Sequence, residues 1–457
     1  MPFKTINPAS GELIESFDEL TEKEISEQIN KSHDAFLSWR EVSFSEKSKL
    51  MSRAAEVLRE GKRKYAEMMT TEMGKPVKQS AAEVEKCAWV CEYYAENAEK
   101  FLSEEMIETD AAESYVRFEP LGVVLAVMPW NFPFWQVFRF AAPGLMAGNT
   151  GLLKHASNVP RTAIAIEEVF REAGFPENVF KNLLIGSSKV KEVISNPKVK
   201  AVTLTGSEAA GSKVAELSGK LIKKTVLELG GSDPFIVLSD ANIDKAVETA
   251  VTSRLINNGE SCIAAKRFIV VEDVAEEFTK KFVEKFENLK VGDPFEEETD
   301  LGPLAREDLV TDLHDQVTAS LEDGAKILTG GKKLERPGFY YAPTIITDLT
   351  PEMRAYKEEL FGPVASLLIA KDEDDALRIA NDTEFGLGAS LWTNDLKKAK
   401  RLVAKIHSGS TFVNELVKSD PRLPFGGVGI SGYGRELSHY GIKEFVNIKT
   451  VYINEAD

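Results

Sequence analysis

The sequence predicts an α/β protein built around two parallel sheets, and three features of the chain carry that expectation. From Gly122 short apolar runs alternate with helical periods, a second alternating series starts after Pro234, and the first hundred residues read as helices. Strands that alternate with helices lie parallel, because each crossover helix carries the chain back to the starting edge of the sheet. With 457 residues and 43% apolar content, the chain is long enough for more than one core.

The helical opening carries its own start and stop signals. Thr21-Glu22-Lys23-Glu24 and Ser43-Phe44-Ser45-Glu46 both fit a capping box, in which a hydroxyl and a carboxylate satisfy free amides at a helix start. Gly74 followed by Pro76 stops a helix. Cys87 and Cys91, four residues apart beside Trp89, Val90 and Tyr94, share one helix face, a spacing that suits packing better than metal binding. The first alternating series places strands near 122–128, 150–154, 180–185, 200–205 and 224–228, with helices near 134–147, 160–173, 187–195 and 208–218. This is a doubly wound, dinucleotide-binding layout. The second series places strands near 234–238, 267–271, 364–370, 387–393 and 410–414 and helices near 243–256, 274–287, 306–323, 373–381 and 395–406, forming a separate α/β domain. Segments 114–119 and 446–453 read as strands with no evident partner in either domain, and unpaired edges invite another chain.

Composition narrows the function classes. Lys plus Arg total 56 against 73 for Asp plus Glu, a net charge of −17 spread along the chain, which disfavours nucleic acid as a partner. The start, Met1 to Asn7, lacks the apolar core of a signal peptide, and the densest apolar run, Leu121 to Trp130, is about half a bilayer span. No membrane partner and a cytoplasmic location are therefore expected. Three cysteines are too few for a disulfide framework, and the histidines at 33, 155, 314, 407 and 439 form no HxxxH or HxH pattern, so no metal site is expected.

The chemistry concentrates around Cys262. It follows the polar, flexible Asn258-Gly259-Glu260-Ser261, in the loop between the first helix and second strand of the second series. Thirty-four residues upstream, Glu228 ends an apolar strand against Gly230 and Gly231. Together they suggest a thiol nucleophile and its base, the alternatives being a small buried hydrophobe for Cys262 and an ion pair with Lys223 or Lys224 for Glu228. Val202-Thr203-Leu204-Thr205-Gly206-Ser207, with Gly211 beyond, runs from strand into helix, where small residues let the backbone approach a pyrophosphate. Arg139, amid Trp135, Val137, Phe138 and Phe140 on an apolar helix, needs an anion, which an internal carboxylate could also supply.

These segments, joined by Met128-Pro129-Trp130-Asn131-Phe132-Pro133 and Glu358-Glu359-Leu360-Phe361-Gly362-Pro363, resemble the aldehyde dehydrogenase family in order and separation. The resemblance runs from Asn7-Pro8-Ala9-Ser10-Gly11-Glu12 to Ser431-Gly432-Tyr433-Gly434-Arg435-Glu436. Within the family, Lys154 to Ser157, Ser261 to Phe268 and Lys418 to Phe425 look most like microbial members that oxidise succinate semialdehyde with NADP, oxidation of another aliphatic aldehyde being the alternative.

The resemblance implies that Cys262 adds to the aldehyde, that the Asn131 amide and the Cys262 main-chain amide face the oxyanion, and that Glu228 activates water against the thioester. Asn131 could instead cap the following helix. Glu260 stands where the family more often has glutamine, and a carboxylate there would oppose thiolate formation. The same resemblance assigns the cofactor to Trp130, Asn131, Lys154, His155, Ala156, Ser157, Gly186, Gly206, Ser207, Gly211, Leu229, Glu359 and Phe361. Gly186 would border the adenine and Glu359 hold the nicotinamide ribose. Ser157, where NAD-preferring members commonly carry glutamate, leaves a 2′-phosphate unopposed beside Lys154, so NADP is expected and NAD use stays open. Arg139 and Ser419 would hold the substrate carboxylate. The implied layout has residues 1–112 and 130–228 with 425–444 as the Rossmann-type nucleotide domain, 229–424 as the catalytic domain, and 113–129 with 445–457 as a small β oligomerisation domain of a homodimer or homotetramer.

Overall fold

The computed structural model describes residues 3–455; Met1, Pro2, Ala456 and Asp457, which the expected domain limits include, lie outside the described residues. A six-stranded sheet runs in the order Gly432–Tyr433, Lys224–Glu228, Val199–Thr205, Val123–Val127, Thr150–Lys154, Phe180–Asn182. Five of these strands are parallel, and only Gly432–Tyr433 runs against its neighbour. The helices Trp135–Met146, Pro160–Glu172 and Glu208–Lys220 make the crossovers. Lys154, Thr205 and Glu228 are each the last residue of a parallel strand, at the carboxyl edge where doubly wound sheets bind ligands.

Val123–Val127 was expected within the 113–129 oligomerisation segment, but it lies inside this sheet, between Thr150–Lys154 and Val199–Thr205. Its unbroken Val-Val-Leu-Ala-Val run is what a strand covered on both faces requires.

The second sheet has seven strands, in the order Lys326–Thr329, Thr344–Thr347, Val364–Ala370, Ala265–Val271, Asp233–Val237, Gly388–Trp392, Ser410–Val413. All are parallel except the edge strand Lys326–Thr329. Lys326–Thr329 and Thr344–Thr347 escaped the sequence reading because four residues are too short for alternation to stand out. The amino-terminal hairpin Phe3–Ile6 with Leu13–Phe17 was likewise missed in a stretch read as helical. Its turn closes through a bond from the Gly11 amide to the Asn7 carbonyl at 2.7 Å.

The four helices Glu22–Trp39, Phe44–Glu60, Lys62–Met73 and Val77–Phe101 follow the start and stop signals. Thr21 and Glu24 form the full reciprocal box, with Glu24 accepting from the Thr21 amide at 2.8 Å and Thr21 Oγ1 accepting from the Glu24 amide at 3.3 Å. Gly74, at φ 85°, ends Lys62–Met73 in the left-handed conformation that glycine adopts without penalty. Cys87 and Cys91 are free and buried in the core beneath the first sheet, as their shared face implied.

The two strands left without partners pair with each other. Val446–Ile453 lies antiparallel to Glu113–Pro120 along its full length, and Glu105–Met106 adds a third strand. Val446–Ile453 is an edge strand carrying exposed Ile448, Tyr452 and Ile453.

Candidate active site

The loop that displays Cys262 is held from several sides. The helix Ile243–Leu255 gives way to the turn Ile256–Gly259, in which Asn257 and Asn258 take φ of 57° and 58°, a region asparagine tolerates. Their side chains repay that conformation. Asn257 Nδ2 donates to the Asn131 carbonyl at 2.8 Å and the Glu260 carbonyl at 2.9 Å, and Asn258 Nδ2 donates to the Pro303 carbonyl at 2.8 Å. A Cβ on Gly259 would stand 2.4 Å from the Gly362 carbonyl oxygen, so the cysteine loop and the 358–363 segment pack backbone to backbone. Buried Arg254 ties down both ends, donating to Gly259 O at 2.6 Å and Ala265 O at 2.9 Å.

Lys266 links the loop to Glu359. Its ammonium donates to the Ser261 and Cys262 carbonyls, both at 2.7 Å, and pairs with Glu359 Oε1 at 2.9 Å. All three donors of the ammonium are thereby used. Phe361 meets Trp130 edge to face at 5.8 Å, which brings together two of the residues expected at the cofactor.

Cys262 lines a cavity of about 460 Å³ together with Phe132, Trp135, Arg139, Ser419 and Phe425. Burial pushes its thiol up to about 12, and the nearby positive charges of Lys266 and Arg139 oppose that rise. Asn131 Nδ2 donates to the Glu260 carbonyl at 3.1 Å, while the amides that open the helix Trp135–Met146 are taken by Glu83, so the capping alternative for Asn131 is not realised. The expected opposition of Glu260 to the thiol is also not what the structure holds. The Glu260 carboxyl is buried and accepts the Ala305 amide at 3.0 Å, and burial keeps it well above the usual carboxylate range. Engaged with the Ala305 amide, Glu260 is not among the charges that act on the Cys262 thiol.

Glu228 is buried at the end of its strand, with neither carboxyl oxygen hydrogen-bonded. Burial and the neighbouring Glu436 carboxylate raise it well above the usual range, against the pull of Arg139 and Arg435. The ion pair with Lys223 or Lys224 considered for it is absent: Lys224 pairs with Glu444 at 2.9 Å, and Lys223 donates to the Asn196 carbonyl at 2.6 Å. A Cβ on Gly426 would lie 2.7 Å from Glu228 Oε1, so a bare glycine makes room for the carboxyl next to cavity-lining Phe425.

Arg139 meets the internal carboxylate that was its alternative, and it also lines the cavity with Cys262. Its anion is supplied from within, by a buried ion pair with Glu436, while its guanidinium lies 4.5 Å over the Phe425 ring and donates to Thr205 Oγ1 at 3.4 Å. A buried guanidinium cannot stay unpaired, and the carboxyl edge of the first sheet offers Glu436 to it. Ser419 does line the cavity, where its hydroxyl accepts from Lys86 Nζ at 2.7 Å.

The expected cofactor residues divide into several groups. Lys154 and Ser207 line a second cavity, of about 670 Å³, with Lys213 and Ser187. Ser207 caps the helix Glu208–Lys220, its hydroxyl accepting the Ala210 amide at 3.4 Å, and Gly206 precedes it. Gly211 lies inside that helix, where a Cβ would meet Leu229 Cδ2 at 2.6 Å, so its smallness serves helix packing on buried Leu229. Gly186 immediately precedes the short turn Ser187–Lys189, beyond the strand end where it was expected. His155, Ala156 and Ser157 border a separate small hollow beside Leu183 and Ile185. The His155 ring cannot serve a ligand: it is buried, with Nε2 at 2.9 Å from the Pro133 carbonyl and Nδ1 accepting the Ala156 amide, and burial drops it to about 4. A neutral ring of this kind fixes the turn at the end of Thr150–Lys154.

Sequence reasoning missed Glu436, Lys86 and Lys266 as site residues. Glu436 and Lys266 stood inside quoted motifs, but their partners lie up to hundreds of residues away. Lys86 carried no such signal, because it lies on a different face of the helix Val77–Phe101 from the two core cysteines.

A thiol at the floor of one cavity, next to a doubly wound sheet with a second cavity at its carboxyl edge, defines an oxidoreductase that works through a covalent thiol adduct and a nucleotide. The chain belongs to the aldehyde dehydrogenase family, whose model matches residues 1–451. It is 50% identical over 453 residues, 99% of this chain and all of the other, to a probable succinate-semialdehyde dehydrogenase (NADP+) of Synechocystis. It is also 50% identical to the succinate-semialdehyde dehydrogenase (NADP+) of Mycobacterium avium, covering all of this chain and 98% of that one. Among solved structures, succinic semialdehyde dehydrogenase of Streptococcus pyogenes in complex with NADP+ superposes with a TM-score of 0.97 at 40% identity, over 99% of this chain and all of the other.

Proposed function

We propose that this chain oxidises succinate semialdehyde to succinate with reduction of NADP, through a thiohemiacetal and then a thioester on Cys262. The observation that carries the reading is the cavity that joins the Cys262 thiol to Lys86, Arg139 and Ser419, a wall suited to a carboxylate-bearing aldehyde. The names of the relatives support the same substrate and nucleotide.

A planar aldehyde carbon is a poor hydride donor, so Cys262 first gives up its proton to solvent and its sulfur adds to the carbon, making it tetrahedral and placing the negative charge on the oxygen. The oxyanion that forms faces the Asn131 amide, whose second N–H is left over from its bond to Glu260. Bound NADP supplies the hydride acceptor, which converts the adduct into a thioester. Glu228, held above the usual carboxylate range by burial, then takes a proton from water as the water attacks that thioester.

The residues around the second cavity fit a phosphorylated dinucleotide. Ser207 and Gly206 leave a helix start open to a pyrophosphate, and Lys154 has no ion-pair partner among the described residues, while burial lowers its affinity for the proton. Exposed Ser157, three residues further on, places no negative charge near Lys154. Glu359 would release part of its Lys266 contact to hold the nicotinamide ribose.

The test is a matrix of aldehydes with and without a terminal carboxylate against NAD and NADP, repeated with Ser157→Glu. Wild type should favour succinate semialdehyde with NADP. Ser157→Glu should depress kcat/KM with NADP by roughly tenfold or more relative to NAD, because the new carboxylate opposes the 2′-phosphate. Equal losses with both nucleotides would remove Ser157 from the cofactor assignment, and a wild type indifferent to the carboxylate would reduce the substrate to an unspecified aliphatic aldehyde.

The same reading extends to assembly as a homodimer or homotetramer in the cytoplasm. It is supported by the open edge of Val446–Ile453 with its exposed Ile448, Tyr452 and Ile453, and among the described residues no helix is long and apolar enough to cross a membrane. Light scattering should give a mass of two or four chains; a single-chain mass at micromolar concentration would refute the assembly.

A further inference from the structure

Four cationic side chains line the cavity that holds Cys262: Lys78, Lys86, Arg139 and Lys418. Three have carboxylates of their own. Lys78 stands 3.9 Å from Asp300, Lys418 pairs with Glu415 at 2.8 Å, and Arg139 is bonded to Glu436. Lys86 has no carboxylate within ion-pair distance among the described residues. The acidic groups around it are engaged elsewhere, beginning with Glu85, its neighbour in the chain, which pairs with Arg59 at 2.7 Å. Glu83 is bonded to Lys75 and accepts the Phe134 and Trp135 amides at 2.8 and 2.9 Å, and Asp420 pairs with Arg422 at 2.6 Å.

What surrounds the Lys86 ammonium positions it without neutralising it. Nζ lies 4.3 Å over the Trp135 ring and donates to Ser419 Oγ at 2.7 Å, and both of these residues line the cavity with Cys262. Trp135 supplies a cation–π contact and Ser419 takes one of three donors, which leaves donors on Nζ for an acceptor in the cavity. A half-buried cation without a counterion is incompletely solvated, and a bound carboxylate offsets that cost. In keeping with this, burial first and Arg139 second bring the ammonium down to about 8.

We propose that Lys86, seated on Trp135 and bonded to Ser419, is a further specificity-determining residue that binds the distal carboxylate of the aldehyde substrate, beside Arg139 on the same cavity wall. The proposal rests on the reading that the substrate carries such a carboxylate. Arg139, paired with Glu436, lines the same cavity and adds its guanidinium to the wall, and the Ser419 hydroxyl aims the Lys86 ammonium.

The test uses the full-length enzyme with NADP as wild type, Lys86→Met and Lys86→Arg, measuring kcat and KM for succinate semialdehyde and for butyraldehyde, which has the same carbon count and no terminal charge. In Lys86→Met the ratio of the two kcat/KM values should fall by roughly tenfold to a hundredfold, chiefly through KM for succinate semialdehyde, and Lys86→Arg should restore part of it. Succinate should also inhibit the methionine variant about tenfold more weakly than wild type. A ratio in Lys86→Met within about threefold of wild type overturns the proposal and returns the anion to Arg139. A wild-type enzyme that shows no preference between the two aldehydes overturns the substrate reading itself, and this proposal with it.

Discussion

Cys262→Ala is expected to lower aldehyde oxidation by at least about three orders of magnitude, since the thiol is the only group placed to form the covalent adduct. Nucleotide binding should survive, because Lys154 and Ser207 line a different cavity and the loop around Cys262 is held by Asn257, Asn258 and Arg254 rather than by the sulfur. Titration of the variant with NADP, followed by fluorescence, separates the two effects. The half-buried thiol, pushed up to about 12 by desolvation, is protonated at neutral pH. Its alkylation by iodoacetamide should therefore be slow near pH 7 and should accelerate as pH rises. Measurable turnover by Cys262→Ala would mean that another nucleophile serves, and rapid alkylation at neutral pH would mean that Lys266 and Arg139 outweigh burial.

Glu228→Gln is expected to trap the thioester. The amide has the size of the carboxyl and carries no charge, so a buried site next to Glu436 should accept it without unfolding. Mixing with succinate semialdehyde and NADP should give a burst of NADPH near one per active site, followed by a steady rate slower by about two to four orders of magnitude, the range that loss of a general base produces. The sign of the pH effect follows from the raised affinity of Glu228 for its proton. The base must be deprotonated, so the wild-type steady rate should climb as pH rises above the usual carboxylate range, and the variant should lose that climb. Slow first turnover without a burst would instead show that Glu228 serves mainly to activate Cys262.

Most of the architecture was legible because it is written in local patterns. The apolar runs and helical periods from Gly122 to Glu228 and beyond Pro234 identified both sheets, since a strand covered on both faces cannot hide its composition. Short elements were lost: four-residue strands such as Lys326–Thr329 carry too few positions for a period. The partnering of Glu113–Pro120 with Val446–Ile453 was equally out of reach, because an edge strand in the sequence does not name the edge it will meet.

For the site, the chain by itself determined that a cysteine would sit in a polar loop, that a carboxylate would end an apolar strand before two glycines, and that a capped helix would start after Thr205-Gly206-Ser207. Each is a statement about residues adjacent in the chain. Which charges neutralise one another was decided only by the tertiary structure. Arg139 meets Glu436 from the other end of the chain, Lys86 reaches Ser419 across 333 residues, and the Glu260 carboxyl turns to the Ala305 amide instead of the thiol. Periodicity reports the face on which a side chain lies, while the energy of a buried charge depends on what the opposite wall presents, and that wall is assembled from segments the sequence keeps far apart.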